Sequence, residues 1–147
     1  MLNQNIKVTS DAVVFSHDGQ LLQVLLVKRK FDPYKGQWAF PGGFVEDDEE
    51  LEAAAIRELA EETGLKLTQM KQIQACGKPG RDPRGRTVSI IYYAFVEAKD
   101  HEVRAGDDAA DAQWVNHEDI KELAFDHMEV LQFALHELGN RMSWLIS

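Results

Sequence analysis

Cysteine is almost missing from this chain of 147 residues: Cys76 stands alone. An internal disulfide is therefore excluded, and a reducing, cytoplasmic setting is expected. Long hydrophobic runs are missing too. No uninterrupted apolar stretch approaches the roughly 18–20 residues that span a bilayer. The opening MLNQNIKVTSD lacks the basic-then-apolar layout of a secretory signal, so no membrane partner is expected. Positive charge is scarce, with 16 Lys and Arg against 25 Asp and Glu and a net charge of -9. That balance argues against nucleic acid as the main partner, because such binding depends on Lys and Arg neutralising phosphates. Small phosphorylated ligands are not excluded, since a bound divalent cation reverses the local field even in an acidic protein. Internal repeats, low-complexity tracts and domain-dividing linkers are absent as well. What remains, 44% hydrophobic and 28% charged residues, is an ordinary globular composition, expected to form one domain over residues 1–147 with a real core.

Along the chain, Val8–Phe15 reads as a strand followed by a turn at His17-Asp18-Gly19-Gln20. Leu21–Val27 reads as a buried strand that runs into Lys28, Arg29 and Lys30. A loop over Phe31–Gly43 carries a short strand at Trp38–Phe40. Asp47, with Glu50 three residues later, has the pattern of a capping box that opens a helix. Leu51, Ala54, Ala55, Ile56 and Leu59 give that helix an apolar stripe, and Gly64 is placed to end it. Strands are expected at Leu67–Ala75, Thr87–Val96 and Gln113–Val115. A helical turn is expected over His117–Leu123 and an amphipathic helix over Asp126–Met142. Strands alternating with a few helices define a mixed α/β class.

One stretch stands out. GGFVEDDEELEAAAIRELAEETGL, Gly42–Leu65, crowds acidic residues around a single arginine. Glu58, Glu61 and Glu62 are spaced i, i+3 and i+4, which puts all three carboxylates on one helical face. Carboxylates held that close raise one another's pKa values unless a cation neutralises them. Mg²⁺ and Mn²⁺ take oxygen ligands, and Mg²⁺ commonly shares its shell with substrate phosphates. The preceding Gly42-Gly43 would let a backbone carbonyl approach the same point. The plainer alternative is a solvated acidic helix.

The stretch resembles the Nudix hydrolase box, G-x5-E-x7-R-E-U-x-E-E-x-G-U with U aliphatic. Its fixed positions are filled here by Gly43, Glu49, Arg57, Glu58, Leu59, Glu61, Glu62, Gly64 and Leu65. The resemblance implies an α/β/α sandwich around a mixed β-sheet, with the box forming loop-helix-loop. It implies metal-dependent hydrolysis of a nucleoside diphosphate linked to another moiety, with Mg²⁺ (or Mn²⁺) as cofactor. Carried over, Glu58, Glu61 and Glu62 are metal ligands assisted by the carbonyl of Gly42 or Gly43. Glu61 and Glu62 are also catalytic candidates, while Glu49 and Arg57 pair to hold the loop against the helix.

Outside the box, RDPRGR (Arg81–Arg86), AGDDAADAQW (Ala105–Trp114) and LAFDH (Leu123–His127) resemble the ADP-ribose pyrophosphatase branch. They also resemble the Nudix half of regulators that sense ADP-ribose. Arg81, Arg84 and Arg86 form the one dense basic cluster and suit phosphate or ribose contacts, unless they merely pair with carboxylates such as Asp82. Arg29, Phe31 and Tyr34 are further substrate-binding candidates, the aromatics for stacking on adenine or for loop packing. His127 either contacts substrate or organises the last helix. The general base is expected in the acidic loop, at Asp108 beside Asp107, with Glu102 or a box glutamate as alternatives. Cys76 reads as a small buried side chain, and Trp38 and Trp114 as core.

The expected reaction is ADP-ribose to AMP and ribose 5-phosphate. The alternatives are a nucleotide-sanitising triphosphatase and a non-catalytic ADP-ribose sensor. Such sensors carry an appended DNA-binding winged helix, whereas this chain ends soon after Trp144 with its box intact, so an enzyme is expected. A homodimer is an expectation from the resemblance.

Overall fold

The structure, a computed structural model, describes residues 3–17 and 19–146. Asp18 of the expected first turn lies outside the described residues. Strand β1 (Lys7–His17) is the spine of the molecule. Along one edge it pairs in parallel with β6 (Thr87–Phe95) over its full hydrogen-bonded length, from Lys7 opposite Thr87 to Phe15 opposite Phe95. Its other edge is divided. Thr9–Asp11 pair with the short β4 (Gly42–Phe44), whereas Phe15–His17 pair with β2 (Leu22–Arg29), both antiparallel. The sheet continues outward through β3 (Trp38–Ala39) and β7 (Ala109–Asn116) on β2, and through β5 (Lys71–Cys76) on β6. The result is a mixed sheet of seven strands among the described residues.

The period of two in β1 assigns its side chains to two cores. Val13 and Phe15 face a cluster that includes Val24, Leu26, Ile91 and the last helix, α2 (His127–Ile146), through Val130, Leu131 and Ala134. Ala12 and Val14 face the opposite cluster, formed with Leu25, Tyr92 and the helix α1 (Leu51–Thr63) through Ala55 and Leu59. Helices therefore cover both sheet faces, the α/β/α sandwich that the sequence leads one to expect. Among the described residues no helix is long and apolar enough to cross a membrane.

Local differences have local causes. The expected capping box does not form. Residue Glu50 occupies the N-cap with extended φ -66° and ψ 149° and makes no side-chain capping bond. Asp47 lies three residues earlier in a turn closed by the Glu49 N–H to the Glu46 carbonyl (3.1 Å) and by Glu49 Oε1 accepting from the Glu46 N–H (3.1 Å). With Glu49 drawn into that turn, the helix starts later. Strand β4 was not expected, since Gly-Gly has low strand propensity; its pairing with β1 overrides that preference. The expected helical turn after β7 is a single 3₁₀ turn, His117–Asp119. Cys76 is partly rather than fully buried, and burial pushes its thiol up to about 11.

Candidate active site

The acidic centre is organised by one arginine. Arg57 Nε and a terminal nitrogen bind the two Glu49 oxygens at 2.6 and 2.9 Å, and the same end of the guanidinium reaches the Phe44 carbonyl at 3.2 Å. The loop is thereby tied to α1, the brace the sequence leads one to expect. The Glu49 hydrogen bonds hold the Arg57 guanidinium above its ordinary pKa, and the arginine in turn holds Glu49 below the usual carboxylate range. The other terminal nitrogen of Arg57 binds Glu58 at 2.8 Å and Glu61 at 3.2 Å.

Glu62 lies on the inner side of the helix and accepts a hydrogen bond from the Gly42 N–H at 3.1 Å. Burial, and then the Glu58 charge, push the Glu62 carboxyl up to about 8; burial also raises Glu58. Gly42 is required by space, and Gly43 leaves the Glu58 carboxyl its present place. A Cβ on Gly43 would come within 2.5 Å of the Glu58 carboxyl, and one on Gly42 would collide with Asp11 Oδ1. Half-buried carboxylates that repel one another beside side-chain-free backbone are a hard-oxygen donor set, so the residues fit a divalent cation. The three glutamates share a helical face as expected but do not converge. Glu58 and Glu61 are drawn to Arg57, Glu62 is drawn to Gly42, and no three His, Cys, Asp or Glu side chains among the described residues are gathered at ligand spacing.

The acidic loop docks on the end of this helix. Gly64 closes α1 with a left-handed φ of 78°. Beyond it, the Arg104 N–H binds the Thr63 carbonyl (2.8 Å) and the Gly106 N–H binds the Glu62 carbonyl (2.9 Å). These two bonds satisfy helix-end carbonyls that would otherwise lack partners. The contact is so close that a Cβ on Gly106 would overlap the Glu61 carbonyl oxygen. Docked this way, Asp108 shares a crevice of about 290 Å³ with Glu62, Arg29, Lys30 and Phe31. Glu102 instead forms an exposed pair with Arg104 at 2.9 Å.

A second cavity, about 430 Å³ counted to its open mouth, adjoins the glycine pair on the other side and is lined by Asp11, Arg29, Arg84, Phe125 and His127 among others. Here the basic cluster separates. Arg81 is 4% exposed and grips Asp126 with two nitrogens at 2.9 and 2.8 Å, while its third binds Ser89 Oγ at 2.7 Å. Three of its five N–H donors are thereby held inside the protein, although Arg81 also lines the cavity. Arg84 is clamped by Asp82 at 3.1 and 2.9 Å and lies over the rings of Phe44 and Phe125. Arg86 lines neither cavity; its carbonyl accepts from the Lys7 N–H. Arg29 lines both cavities, with its Nε on the Pro33 carbonyl at 2.6 Å. Burial, and then the nearby Arg84 charge, lower its pKa.

Phe31 is 58% exposed beside Asp108, and Tyr34 lines neither cavity but packs its ring 4.8 Å from that of Phe125. His127 is buried, and its Nδ1 accepts from the Phe40 N–H at 3.1 Å; burial pushes the imidazole down to about 4. A neutral acceptor with that bond is an organiser of the β3 end, although one edge of it lines the cavity. Two cavity residues escaped the sequence reading. Asp11 is 6% exposed, and burial pushes its carboxyl up to about 7. A lone acid inside the apolar run of β1 was the available signal. Phe125, inside LAFDH, has φ 55°, and Tyr34 has φ 61°, left-handed conformations that cost on the order of 1–3 kcal/mol for a residue with a Cβ.

A helix-borne acidic face thus stands beside an arginine-lined cavity on a mixed sheet. The chain belongs to the Nudix family: the NUDIX domain model matches residues 6–133. It is 41% identical over 110 residues to an ADP-ribose pyrophosphatase of Methanocaldococcus jannaschii, covering 75% of this chain and 64% of that one. It is 38% identical over 138 residues to the ADPR responsive transcriptional repressor NtrR of Acinetobacter baylyi, covering 91% of this chain and 55% of the relative. The chain thus spans between about half and two thirds of the length of these curated relatives. Among solved structures, the NUDIX domain of Shewanella oneidensis NrtR complexed with ADP ribose superposes with a TM-score of 0.86 at 33% identity, covering 92% of this chain and 90% of that one.

Proposed function

We propose that this Nudix chain hydrolyses ADP-ribose to AMP and ribose 5-phosphate in a divalent-metal-dependent reaction. The observation that carries the reading is the adjacency of the Glu58–Glu62 face to a cavity that holds Arg29 and Arg84 and is lined by Gly42 and Gly43. Glu58, Glu61, Glu62 and the Gly43 carbonyl would hold Mg²⁺ or Mn²⁺, which supplies charge neutralisation of the diphosphate and a lowered pKa for the attacking water. Arg29 reaches both cavities and orients the diphosphate between them; Arg84 extends the anion contact. Asp108, across the crevice from Glu62, accepts the proton of the water, and Phe31 beside it excludes bulk solvent. The relatives named for ADP-ribose support this choice of substrate over a nucleoside triphosphate. Product analysis on a panel of ADP-ribose, other ADP-sugars and nucleoside triphosphates tests it. AMP released from ADP-ribose with the highest kcat/KM is expected, and a triphosphate preferred over ADP-ribose would refute the reading.

A second reading is favoured by one specific finding, the match to a repressor responsive to ADPR: the chain binds ADP-ribose as a signal. Tight binding with no turnover in the same panel would establish it. Net charge alone does not decide whether nucleic acid is a partner, and electrophoretic mobility shift with the purified chain does.

A further inference from the structure

We propose that Phe125 is the positioning residue that holds the Arg29 and Arg84 guanidiniums together as one paired anion-binding surface; this rests on the proposed hydrolysis of a nucleoside diphosphate. Two hydrogen bonds pin the segment on either side of Phe125. The Ala124 N–H binds the Trp38 carbonyl at 2.8 Å, and His127 Nδ1 accepts from the Phe40 N–H at 3.1 Å. A chain fixed to β3 at both of these points turns out between them, and Phe125 takes a φ of 55°. Its ring is thereby directed to the cavity, where the Arg29 guanidinium lies 4.9 Å and the Arg84 guanidinium 5.3 Å from its centre.

The opposite loop supplies a matching element. Tyr34 is the other residue with a side chain and a left-handed φ (61°) among the described residues, and its ring meets Phe125 at 4.8 Å. That loop is folded back by the Gly36 N–H to the Arg29 carbonyl at 2.8 Å, and the Pro33 carbonyl takes Arg29 Nε. Two strained positions on separate loops therefore meet at one ring pair, and strain of this kind persists where surrounding structure enforces it, commonly at ligand clamps. The two guanidiniums meet at one ring, and burial, then the Arg84 charge, lower the Arg29 pKa. Asp82 on Arg84 and the Pro33 carbonyl on Arg29 hold each guanidinium singly, and an anion that spans both would offset the repulsion between them. Hydrophobic packing alone would not need two cations at the ring.

The test uses ADP with Mg²⁺ as probe, by titration calorimetry on the full chain. Phe125→Leu and Phe125→Gly are expected to raise the Kd for ADP about tenfold, and Phe125→Tyr to stay within about threefold of wild type. Glycine accepts φ 55° freely, so weak ADP binding in a glycine variant with an intact thermal transition isolates the ring from the backbone. Arg84→Lys combined with Phe125→Leu is expected to cost less than the two single changes added together. Leu and Gly variants that bind ADP like wild type overturn the proposal, as does a Tyr variant as damaged as Leu. Should Leu and Gly lose their thermal transitions, Tyr34→Leu removes the outer brace instead: about threefold weaker binding supports the proposal and unchanged binding overturns it. Wild type that binds ADP but releases no AMP from ADP-ribose refutes the proposed activity and leaves this inference standing. Normal ADP binding by Phe125→Leu in an enzyme that does hydrolyse ADP-ribose does the reverse.

Discussion

The two sides of the glycine pair are built on opposite plans. On the acidic side, Glu49, Arg57, Glu58, Glu61 and Glu62 come from one loop and one helix, and charges there are mostly satisfied within the same short segment. On the cationic side, Arg29, Arg84, Asp11 and Phe125 come from four separate segments, and the strongest ion pair joins residues 45 positions apart, Arg81 and Asp126. On the proposed reading, a metal–diphosphate complex would bring a cation to the acidic side and an anion to the cationic side.

Changes that break this comparison are ordered by expected effect. Gly43→Ala puts a Cβ against the Glu58 carboxyl, so metal-dependent turnover is expected to fall by about 100-fold or more while kinetic assays with excess Mg²⁺ fail to restore it. Arg81→Ala removes both ion-pair bonds of the partly buried Asp126 carboxylate and one partner of the Ser89 hydroxyl; thermal or urea unfolding is expected to show a loss of about 2–3 kcal/mol. By contrast, Arg86→Ala, outside both cavities, is expected to leave kcat/KM within about twofold, a much smaller effect for a neighbour in the same motif.

The pH predictions have opposite signs on the two sides. Glu62 has a folded pKa raised to about 8, so its contribution to stability is present below the ordinary carboxylate pKa and is lost as pH rises through about 8. Mg²⁺ relieves that repulsion, so the rise in Tm on adding Mg²⁺ is expected to be larger near pH 8 than near about pH 5, and Glu62→Gln is expected to flatten the difference. His127 is depressed to about 4 from 6.5, so its contribution is full above pH 6.5 and lost as pH falls toward 4. A change on the order of 3 kcal/mol across that acid window is expected in urea titrations, and His127→Gln should remove it.

Legibility in the sequence followed the same division. The box could be read because its nine fixed positions lie within 23 contiguous residues and its helix ends on a glycine with the expected left-handed φ. The sandwich was legible through the resemblance that the box carries, and the stripe on α1 agreed with a helix packed on the sheet. The cationic side was only half legible. RDPRGR showed three arginines and Asp82 as a partner for them, which Arg84 takes, but not that Asp126, brought near by the fold, would take up Arg81. The capping box failed for a similar reason, because Glu49 answers to Arg57 two helical turns away before it answers to its neighbours. Phe125 was hidden because nothing in an isolated pentapeptide signals a left-handed backbone at phenylalanine; bonds to Trp38 and Phe40 impose it.

The central claim, that the acidic face and the arginine cavity act together on a diphosphate, is tested most directly by one paired assay. AMP release from ADP-ribose with Mg²⁺ is measured for wild type and for Glu62→Gln, alongside their Kd values for ADP. Wild-type turnover that Glu62→Gln lowers by about 100-fold, with ADP still bound, is the predicted result. Equal AMP release from the two proteins, or none from either, would contradict it.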